Sequence, residues 1–379
     1  MDFSFTEQQE MLRKIARDFL TTECPKETVR QLLKDRDETG YPPQLWNKMA
    51  ELGWTGLVIP EQYGGIEGNI LDATALVEEM GRAALPGPFF CNLIGTLAIL
   101  DTGTDAQKAE LLPKIASGEL IVTLAVSEPG VGYAIDALNC PASVDGGDYI
   151  LEGTKLFVEN AHVANMMVCA ARTNAGSGGQ GLTLFLVDPR CANVTLTPIE
   201  TLSGEKQFKV DLARVRVGKD SILGELDKGG EALNRLLQLG AVLKCAEMLG
   251  GAEQVMDMTV DYVKERVQFD HPIGSLQAIQ HHCANMMIDL EGVRYITYLA
   301  AWEVNEGLPF SRETAMAKSW TSDAYKRICD LAHQCHGAIG FCEESDLPLY
   351  SKRVKNSQFA FGDGQFQRRL VASAIGLGS

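Results

Sequence analysis

The sequence predicts an α+β fold with an α-helical N-terminal domain, a middle antiparallel β domain and a C-terminal α-helical bundle. Two shifts in the spacing of apolar residues predict it: the helical period gives way to alternation near residue 119 and returns near residue 223. We therefore expect domains at residues 1–118, 119–222 and 223–379. A chain of 379 residues is also longer than one hydrophobic core usually serves.

The first segment shows helical periodicity from its start. In TEQQEMLRKIARDFL, Thr6 has the side chain of an N-cap, and apolar residues recur at Met11, Ile15, Phe19 and Leu20. PQLWNKMAELGW and NILDATALVEEMGRAAL continue the pattern, and the glycine- and proline-rich PEQYGG and LPGPFF predict loops.

The middle segment consists of short apolar runs separated by turn residues. The runs are LIVTLAVS, YILEGTKLFV, MMVCAART, LTLFLVD, VTLTPI and FKVDLARVRV. GSGGQG at 176–181 matches G-x-G-x-x-G, but it leads into a strand and not a helix, so we interpret it as a hairpin loop. After ELDKGGEAL a broad apolar stripe predicts buried helices of a bundle that can extend across subunits.

Composition excludes several classes of protein. A net charge of −16 disfavours nucleic acid and anionic membrane surfaces, and no apolar run is long enough to span a bilayer. The ten cysteines include no C-x-x-C pair, which favours reduced thiols over disulfides or a zinc site, and we expect no bound metal. MDFSFTEQQEMLRK lacks the basic start and apolar stretch of a signal peptide, so we expect a cytoplasmic protein.

Four motifs carry the functional prediction. SEPGVG leaves a strand for a loop whose backbone amides can face a ligand; in ERVQFDHPIGSLQAIQ, Arg266, Gln268 and Gln277 can grip an anionic, hydrogen-bonding ligand. QCHGAIGF places Gly337 where a backbone can approach a flat ligand. Near the end, AFGDGQF precedes QRR.

Taken together and in this order, these motifs resemble the acyl-CoA dehydrogenase family of flavoproteins over the whole chain. The alicyclic (cyclohexane- and cyclohexene-carboxyl-CoA) and steroid-degradation branches are the most similar. The resemblance implies FAD held between the β domain and the C-terminal helices and a homotetramer. It also implies an acyl-CoA substrate and electron-transfer flavoprotein as electron acceptor.

The resemblance implies two sets of FAD contacts. In the middle segment they are Leu124, Val126, Ser127, Gly132, Tyr133, Phe157 and Glu159. In the C-terminal segment, Gly362, Asp363 and Gln365 fall where the family contacts FAD. The other contacts of that segment are made to the FAD of a neighbouring subunit, by Arg266, Gln268, Phe269, Gln277, Gln334 and Gly337. Three residues depart from the family pattern, which more often has serine, tryptophan and threonine in the places of Tyr133, Phe157 and Glu159.

The family reaction removes an α-proton with a glutamate and passes the β-hydride to flavin N5. The two usual places of that glutamate correspond here to Phe361 and Gly240, so both usual bases are missing and these two positions belong to the substrate pocket. Three explanations remain open. The base has moved to the loop that continues with Cys91; a two-residue slip makes Asp363 the base; or another chain supplies it.

The sequence therefore predicts FAD-dependent dehydrogenation of an acyl-CoA thioester, with an atypical substrate such as a cyclic enoyl-CoA of the cyclohex-1-ene-1-carboxyl-CoA kind. Two alternatives are a non-catalytic FAD- or CoA-binding subunit of a heteromeric dehydrogenase and an acyl-CoA oxidase-like enzyme.

Overall fold

The structure is a computed structural model that describes residues 5–174, 176 and 179–377. Its helices are α1 (Glu7–Glu23), α2 (Lys26–Asp35), α3 (Pro43–Glu51), α4 (Ile70–Ala83), α5 (Phe89–Thr102), α6 (Asp105–Ala116), α7 (Gly229–Glu265), α8 (Gln277–Asn305), α9 (Ser311–His336), α10 (Leu347–Phe359) and α11 (Gly364–Ala374). Its strands are β1 (Val122–Ala125), β2 (Ala142–Asp145), β3 (Asp148–Glu159), β4 (Met166–Arg172), β5 (Leu182–Val187), β6 (Val194–Ile199), β7 (Gln207–Val217), β8 (Ile222–Leu223), β9 (Val267–Gln268) and β10 (His271–Pro272).

The order of elements confirms the predicted fold class of helices, then a sheet-containing middle segment, then helices. The Thr6 N-cap is also confirmed: its hydroxyl accepts the Gln9 N–H at 3.2 Å and the Gln9 side chain accepts the Thr6 N–H at 3.1 Å. The prediction of a loop at LPGPFF was wrong for its last two residues, because α5 begins at Phe89. Cys91 therefore lies in the first turn of a helix.

The chain forms two compact units. We call residues up to Asp35, Ile70–Leu85 and those from Gly240 onward the helical unit, and Arg36–Asn69 with Pro86–Leu239 the sheet unit. The three sequence segments proposed above remain a prediction of domain boundaries.

The sheet unit contains two four-stranded sheets, with strand orders β1-β4-β5-β8 and β2-β3-β7-β6. Each predicted run contains one strand, and most strand pairs of this unit are antiparallel as expected, but β1 and β4 pair in parallel. The chain enters the other sheet through β2 and β3 before it returns to the first, and such a crossover permits parallel pairing. Leu151, Met167, Phe185 and Val210 lie in the core of this unit.

Close helix packing characterises the helical unit. A Cβ at Gly81 of α4 would lie 1.9 Å from the carbonyl oxygen of Glu247. A Cβ at Gly250 of α7 would lie 1.8 Å from the carbonyl oxygen of Glu78. Only glycine permits the backbones of α4 and α7 to approach this closely.

A buried charge cluster joins α1, α4, α7 and α8 in the same unit. The Glu78 side chain is fully buried, lies 2.7 Å from Arg13 Nη2, and accepts the Tyr298 hydroxyl. Arg294 Nη1 lies 3.6 Å from the same carboxylate and also pairs with Glu253. Burial raises the pKa of Glu78 to about 7, while the Arg13 guanidinium acts in the opposite direction.

The raised pKa of Glu78 predicts a pH-dependent contribution to stability. The folded state holds a proton that the unfolded state loses, so stability falls as the pH rises from about 4.5 to about 7. Between pH 6 and pH 8 this group should lower the free energy of unfolding by about 1 kcal/mol, and we expect Glu78→Gln to abolish that decrease. Thermal midpoints at the two pH values measure it. Glu110→Gln on α6 is the control, because its exposed side chain pairs with Lys114 outside this cluster. An unchanged dependence in Glu78→Gln would contradict the assignment.

Candidate functional site

The loop after β1 is the first predicted contact region. Leu124 and Val126 are half-buried, whereas Ser127 is exposed. The backbone N–H of Leu156 in β3 donates to the Ser127 carbonyl over 2.8 Å. The structure therefore brings the Ser127 loop beside the part of β3 that carries Phe157.

A buried ion pair holds this loop. Lys155 is fully buried, and its Nζ lies 2.6 Å from Glu128 Oε1 and 3.3 Å from the Val126 carbonyl oxygen. The same carboxylate accepts the backbone N–H groups of Asn139 at 2.7 Å and Cys140 at 3.0 Å. Both ends of the segment 126–140 are thus tied to one charge pair, whose partners cannot be removed singly without leaving a buried charge.

Phe157 lies at an irregularity of β3. The pairing register with β7 shifts between Lys155 and Val158, Phe157 has a φ of +56°, and 56% of it is exposed. This backbone conformation costs a bulky residue about 1–3 kcal/mol and is retained where the fold presents a side chain for use. The irregularity exposes an aromatic ring one residue from the Leu156 bond to the Ser127 loop.

The remaining predicted contacts of the sheet unit lie at the end of β3 and in the loop after β1. Glu159 is half-buried, and its carbonyl accepts the Thr123 hydroxyl over 2.6 Å. Gly132 and Tyr133 are exposed in the loop, and a Cβ at Gly132 would meet no atom within 4 Å. A ligand can therefore approach the Gly132 backbone closely.

Cys91 is a poor candidate for a base. Only 4% of it is exposed, its thiol donates to the Pro88 carbonyl over 3.1 Å, and the Asn160 side chain lies 3.8 Å from the sulfur. Burial raises the pKa of Cys91 to about 12. A thiol that remains protonated at neutral pH does not accept a substrate proton, so this geometry favours a packing role for Cys91.

In the helical unit, the predicted contacts after α7 form a short hairpin. β9 and β10 pair antiparallel through Gln268 and His271, and Phe269 and Asp270 at the tip have φ of +56° and +64°. Phe269 is 80% exposed. Arg266 precedes the hairpin and is exposed, and its N–H donates to the Tyr262 carbonyl over 2.8 Å.

Tyr262 connects this hairpin to the end of α9. Its ring stacks on His336 with centroids 4.4 Å apart, and its hydroxyl donates to the His336 carbonyl over 3.4 Å. Gly337 follows with a φ of +63°, and a Cβ there would meet no atom within 4 Å. Gln334, in the last turn of α9, is exposed. The structure thus places the regions of Arg266 and Gly337 on either side of one aromatic stack.

Gln277 is the first residue of α8. The N-cap residue, Leu276, makes no side-chain hydrogen bond, and the first turn contains no acidic residue. The first N–H groups of the helix therefore retain their partial positive charge, which suits an anionic group such as a pyrophosphate. The Ile273 N–H, three residues before Leu276, donates to the Arg266 carbonyl over 2.8 Å and links this helix start to an arginine.

The turn between α10 and α11 contains the last predicted contacts. Phe361 and Gly362 have φ of +55° and +100°. Asp363 is the N-cap of α11, and its Oδ1 accepts the Phe366 N–H at 2.8 Å. Gln365 is exposed in the first turn of that helix. The Asp363 carboxylate is thus occupied in capping, which disfavours it as a base.

The Phe361 ring packs directly on Gly240 of α7. A Cβ at Gly240 would lie 2.3 Å from Phe361 Cε1, 2.6 Å from Cδ1 and 2.8 Å from Cζ. Positions 361 and 240, which the resemblance implies are the two usual places of the base, are therefore neighbours. The Phe361 ring fills the space at both positions.

Sequence models of three acyl-CoA dehydrogenase domains match the chain. The N-terminal domain matches residues 6–119, the middle domain residues 123–215 and the C-terminal domain residues 227–376. The chain belongs to the acyl-CoA dehydrogenase family. It is an oxidoreductase acting on CH–CH groups with FAD as its cofactor, as expected from the sequence.

Individual relatives extend over nearly the whole chain. A 3-(aryl)acrylate reductase of Clostridium sporogenes is 32% identical over 98% of this chain and 99% of its own length. A caffeyl-CoA reductase–Etf complex subunit of Acetobacterium woodii is 30% identical over the same shares. The structure of butyryl-CoA dehydrogenase from Megasphaera elsdenii superposes with a TM-score of 0.93 at 27% identity, covering 99% of this chain and 100% of that one.

Each unit contains, among the described residues, groups of the chemical kinds that FAD needs. The exposed Phe157 ring beside the Ser127 loop can contact a flat ring system, and the open backbone at Gly132 and Gly337 leaves room for a ligand. The exposed Arg266 and the uncapped start of α8 suit its phosphates. None of the helices within the described residues is long and apolar enough to cross a membrane.

The Lys155–Glu128 pair gives a test of the sheet-unit contacts. Lys155→Met leaves Glu128 buried without its cation, which costs about 3–5 kcal/mol and releases the Ser127 loop. We expect the purified variant to lose most of its FAD, measured as flavin absorbance per protein chain. Lys209→Met is the control, because it breaks the exposed pair with Asp211 on β7 and should leave FAD content unchanged. Full FAD content in Lys155→Met would contradict a role of the pair in holding this loop.

Proposed function

We propose that this chain oxidises an atypical acyl-CoA thioester, a cyclic one of the cyclohex-1-ene-1-carboxyl-CoA kind, with no base supplied by position 361 or position 240. The observation that supports the proposal is the packing of Phe361 on Gly240. Position 361 carries no proton acceptor, and position 240 has no room for a side chain while the ring stays in place.

The chemistry at this position is therefore apolar. Phe361 is half-buried, so part of the residue remains accessible. An aromatic face suits a six-membered ring better than a flexible straight chain, because a rigid ring loses little conformational freedom on packing. Bound FAD would accept a hydride from the ring. The α-carbon of a cyclohex-1-ene-1-carboxyl thioester is part of the ring double bond and carries no hydrogen, so the accompanying proton would leave another ring carbon and pass to water. Straight-chain substrates should react slowly, since a missing general base costs roughly 10²–10⁴ in rate.

The residues with assigned contacts retain their predicted roles in this proposal. Ser127 and Phe157 would contact the flavin, and Arg266, Gln277 and Gly337 would contact the FAD of a neighbouring copy. The irregular backbone at Phe157 and the bond from Leu156 to Ser127 support the first group. The Tyr262–His336 stack supports the second.

We further propose a cytoplasmic homotetramer with electron-transfer flavoprotein as its redox partner. The helical unit exposes several large apolar side chains, which a second copy can cover: Phe269 is 80% exposed, Phe341 70%, Ile288 69% and Tyr295 57%. Sedimentation velocity measures the assembly, and a stable monomer contradicts it. The Etf-complex relative supports the redox partner.

Reduction of a conjugated enoyl thioester is the second candidate, and the names of the relatives favour it. Both the 3-(aryl)acrylate reductase and the caffeyl-CoA reductase subunit bear names of enzymes that reduce aryl-substituted double bonds. In this direction electron-transfer flavoprotein would deliver the electrons. A non-catalytic subunit is the third, and co-purification with a homologous chain that carries the glutamate would favour it.

An anaerobic substrate screen tests the proposal. Cyclic, branched and linear acyl-CoA thioesters are mixed with the FAD-loaded protein, and loss of visible flavin absorbance reports oxidation. We expect the cyclic thioester to bleach the flavin fastest. Cys91→Ala, run in parallel, should retain that rate, because its buried thiol stays protonated. Fastest bleaching by a linear thioester would overturn the proposed substrate, and a large loss in Cys91→Ala would make that thiol the base.

A carboxylate at position 361 gives a sharper prediction. Phe361→Glu removes the ring and introduces a proton acceptor, so we expect oxidation of butyryl-CoA to rise by about tenfold or more. Phe361→Gln is the matched control, which opens the same space without a base. Equal rates in the two variants, with FAD and thioester bound, would show that position 361 does not face the α-proton.

A further inference from the structure

Lys318 of α9 is a buried cation that the reaction does not explain. It is fully buried, and its Nζ donates to the Ser322 hydroxyl at 3.2 Å. The other partners are three backbone carbonyls, those of Ser357 at 3.0 Å, Gln358 at 3.1 Å and Gly362 at 3.1 Å. Burial lowers the pKa of Lys318 to about 8. A buried ammonium held mainly by neutral carbonyls is a costly arrangement, so a specific use for it is expected.

These carbonyls lie on both sides of Phe361. Ser357 and Gln358 belong to the last turns of α10, and Gly362 follows Phe361 directly. One ammonium therefore joins the start and the end of the turn that carries the ring. The Gln358 side chain donates back to the Ser322 carbonyl over 2.8 Å and ties the same turn to α9 a second time.

The turn needs such anchors because its backbone is strained. Phe361 has a φ of +55°, in the left-handed region that bulky side chains avoid. Such a conformation persists only where surrounding contacts determine it. Gln367 supplies one of them by donating to the Phe361 carbonyl over 2.8 Å. Lys318 supplies the carbonyl contacts on either side.

We propose that Lys318 is a positioning residue that fixes the Phe361 ring against Gly240, and thereby closes the space at both usual places of the base. Any effect of Lys318 on catalysis rests on the proposed function. The contacts from which the inference is drawn all lie within the helical unit. Lys318 acts through Phe361, since its hydrogen bonds are to the protein backbone and one hydroxyl.

A double-mutant cycle tests this inference without any substrate. In the wild-type background Gly240→Ala places a Cβ 2.3 Å from the Phe361 ring, so the thermal midpoint should fall by at least about 3 °C. In a Lys318→Met background the ring is released and the same change should cost little or raise the midpoint, because alanine favours helix over glycine. Phe361→Ala should relieve the clash in the same way.

Lys244→Met is the matched control. Lys244 is a buried lysine of α7 that pairs with Glu247, so its loss removes a buried cation near Lys318 while Lys318 keeps its own hydrogen bonds to the Phe361 turn. Gly240→Ala should remain fully destabilising in that background. Additive effects of Gly240→Ala and Lys318→Met would overturn the inference. Lys318→Gln is the second variant if Lys318→Met does not fold. Failure of both to fold, while Lys244→Met folds, would assign Lys318 a general structural role instead.

The cycle is independent of the proposed substrate. If no cyclic thioester bleaches the flavin, the proposed function is overturned, and the midpoints still decide whether Lys318 fixes the ring. If the proposed function holds, Lys318→Met should also reduce the ratio of kcat/KM for the cyclic over the linear thioester by about tenfold. Addition of Lys318→Met to Phe361→Ala should not change that ratio further, because no ring remains to be positioned.

Discussion

The contact between the Phe361 ring and Gly240 is the constraint on which this account of the site depends. Gly240 within α7 leaves a gap, and the Phe361 ring, carried by a backbone in the left-handed region, fills it. The resemblance implies that the family's base acts from one of these two places, and the apolar contact leaves no carboxylate at either. This is the reason to propose an atypical acyl group.

The proposed cofactor and substrate contacts share a physical theme, which is a strained or open backbone anchored by buried polar groups. Phe157 is exposed at an irregular strand position beside a loop that the Lys155–Glu128 pair holds. Phe361 is presented by a turn whose carbonyls Lys318 binds. In both cases a buried lysine restrains the backbone next to an aromatic ring. The hydrogen bonds that each ammonium makes thus offset the unfavourable free energies of the strained backbone and of the buried charge.

Much of the fold could be predicted from the sequence because the spacing of apolar residues changes with the type of element. Runs such as LTLFLVD and VTLTPI became β5 and β6, whereas β2 was missed because it is short and three of its four residues are exposed. The parallel pairing of β1 with β4 was also missed, since pairing direction depends on how the chain crosses between sheets.

The site could be predicted only where local motifs report on it. Glycines and the Ser127 loop suggested ligand contacts, but neither Lys155 nor Lys318 was singled out, because a lysine within an apolar run gives no sign of the distant groups that pair with it. Nor could the sequence place Phe361 on Gly240, which depends on how α7 packs against the turn after α10. The burial that raises the pKa of Cys91 was equally invisible.

Exchange of the α-protons of butyryl-CoA with deuterated water, in the presence of the FAD-loaded protein and followed by NMR, tests the central claim most directly. The account predicts exchange no faster than without protein, because neither position 361 nor position 240 carries a group that can accept the proton. Rapid exchange would contradict it, since a base would then act on a straight-chain thioester from a place that the Phe361–Gly240 contact does not close.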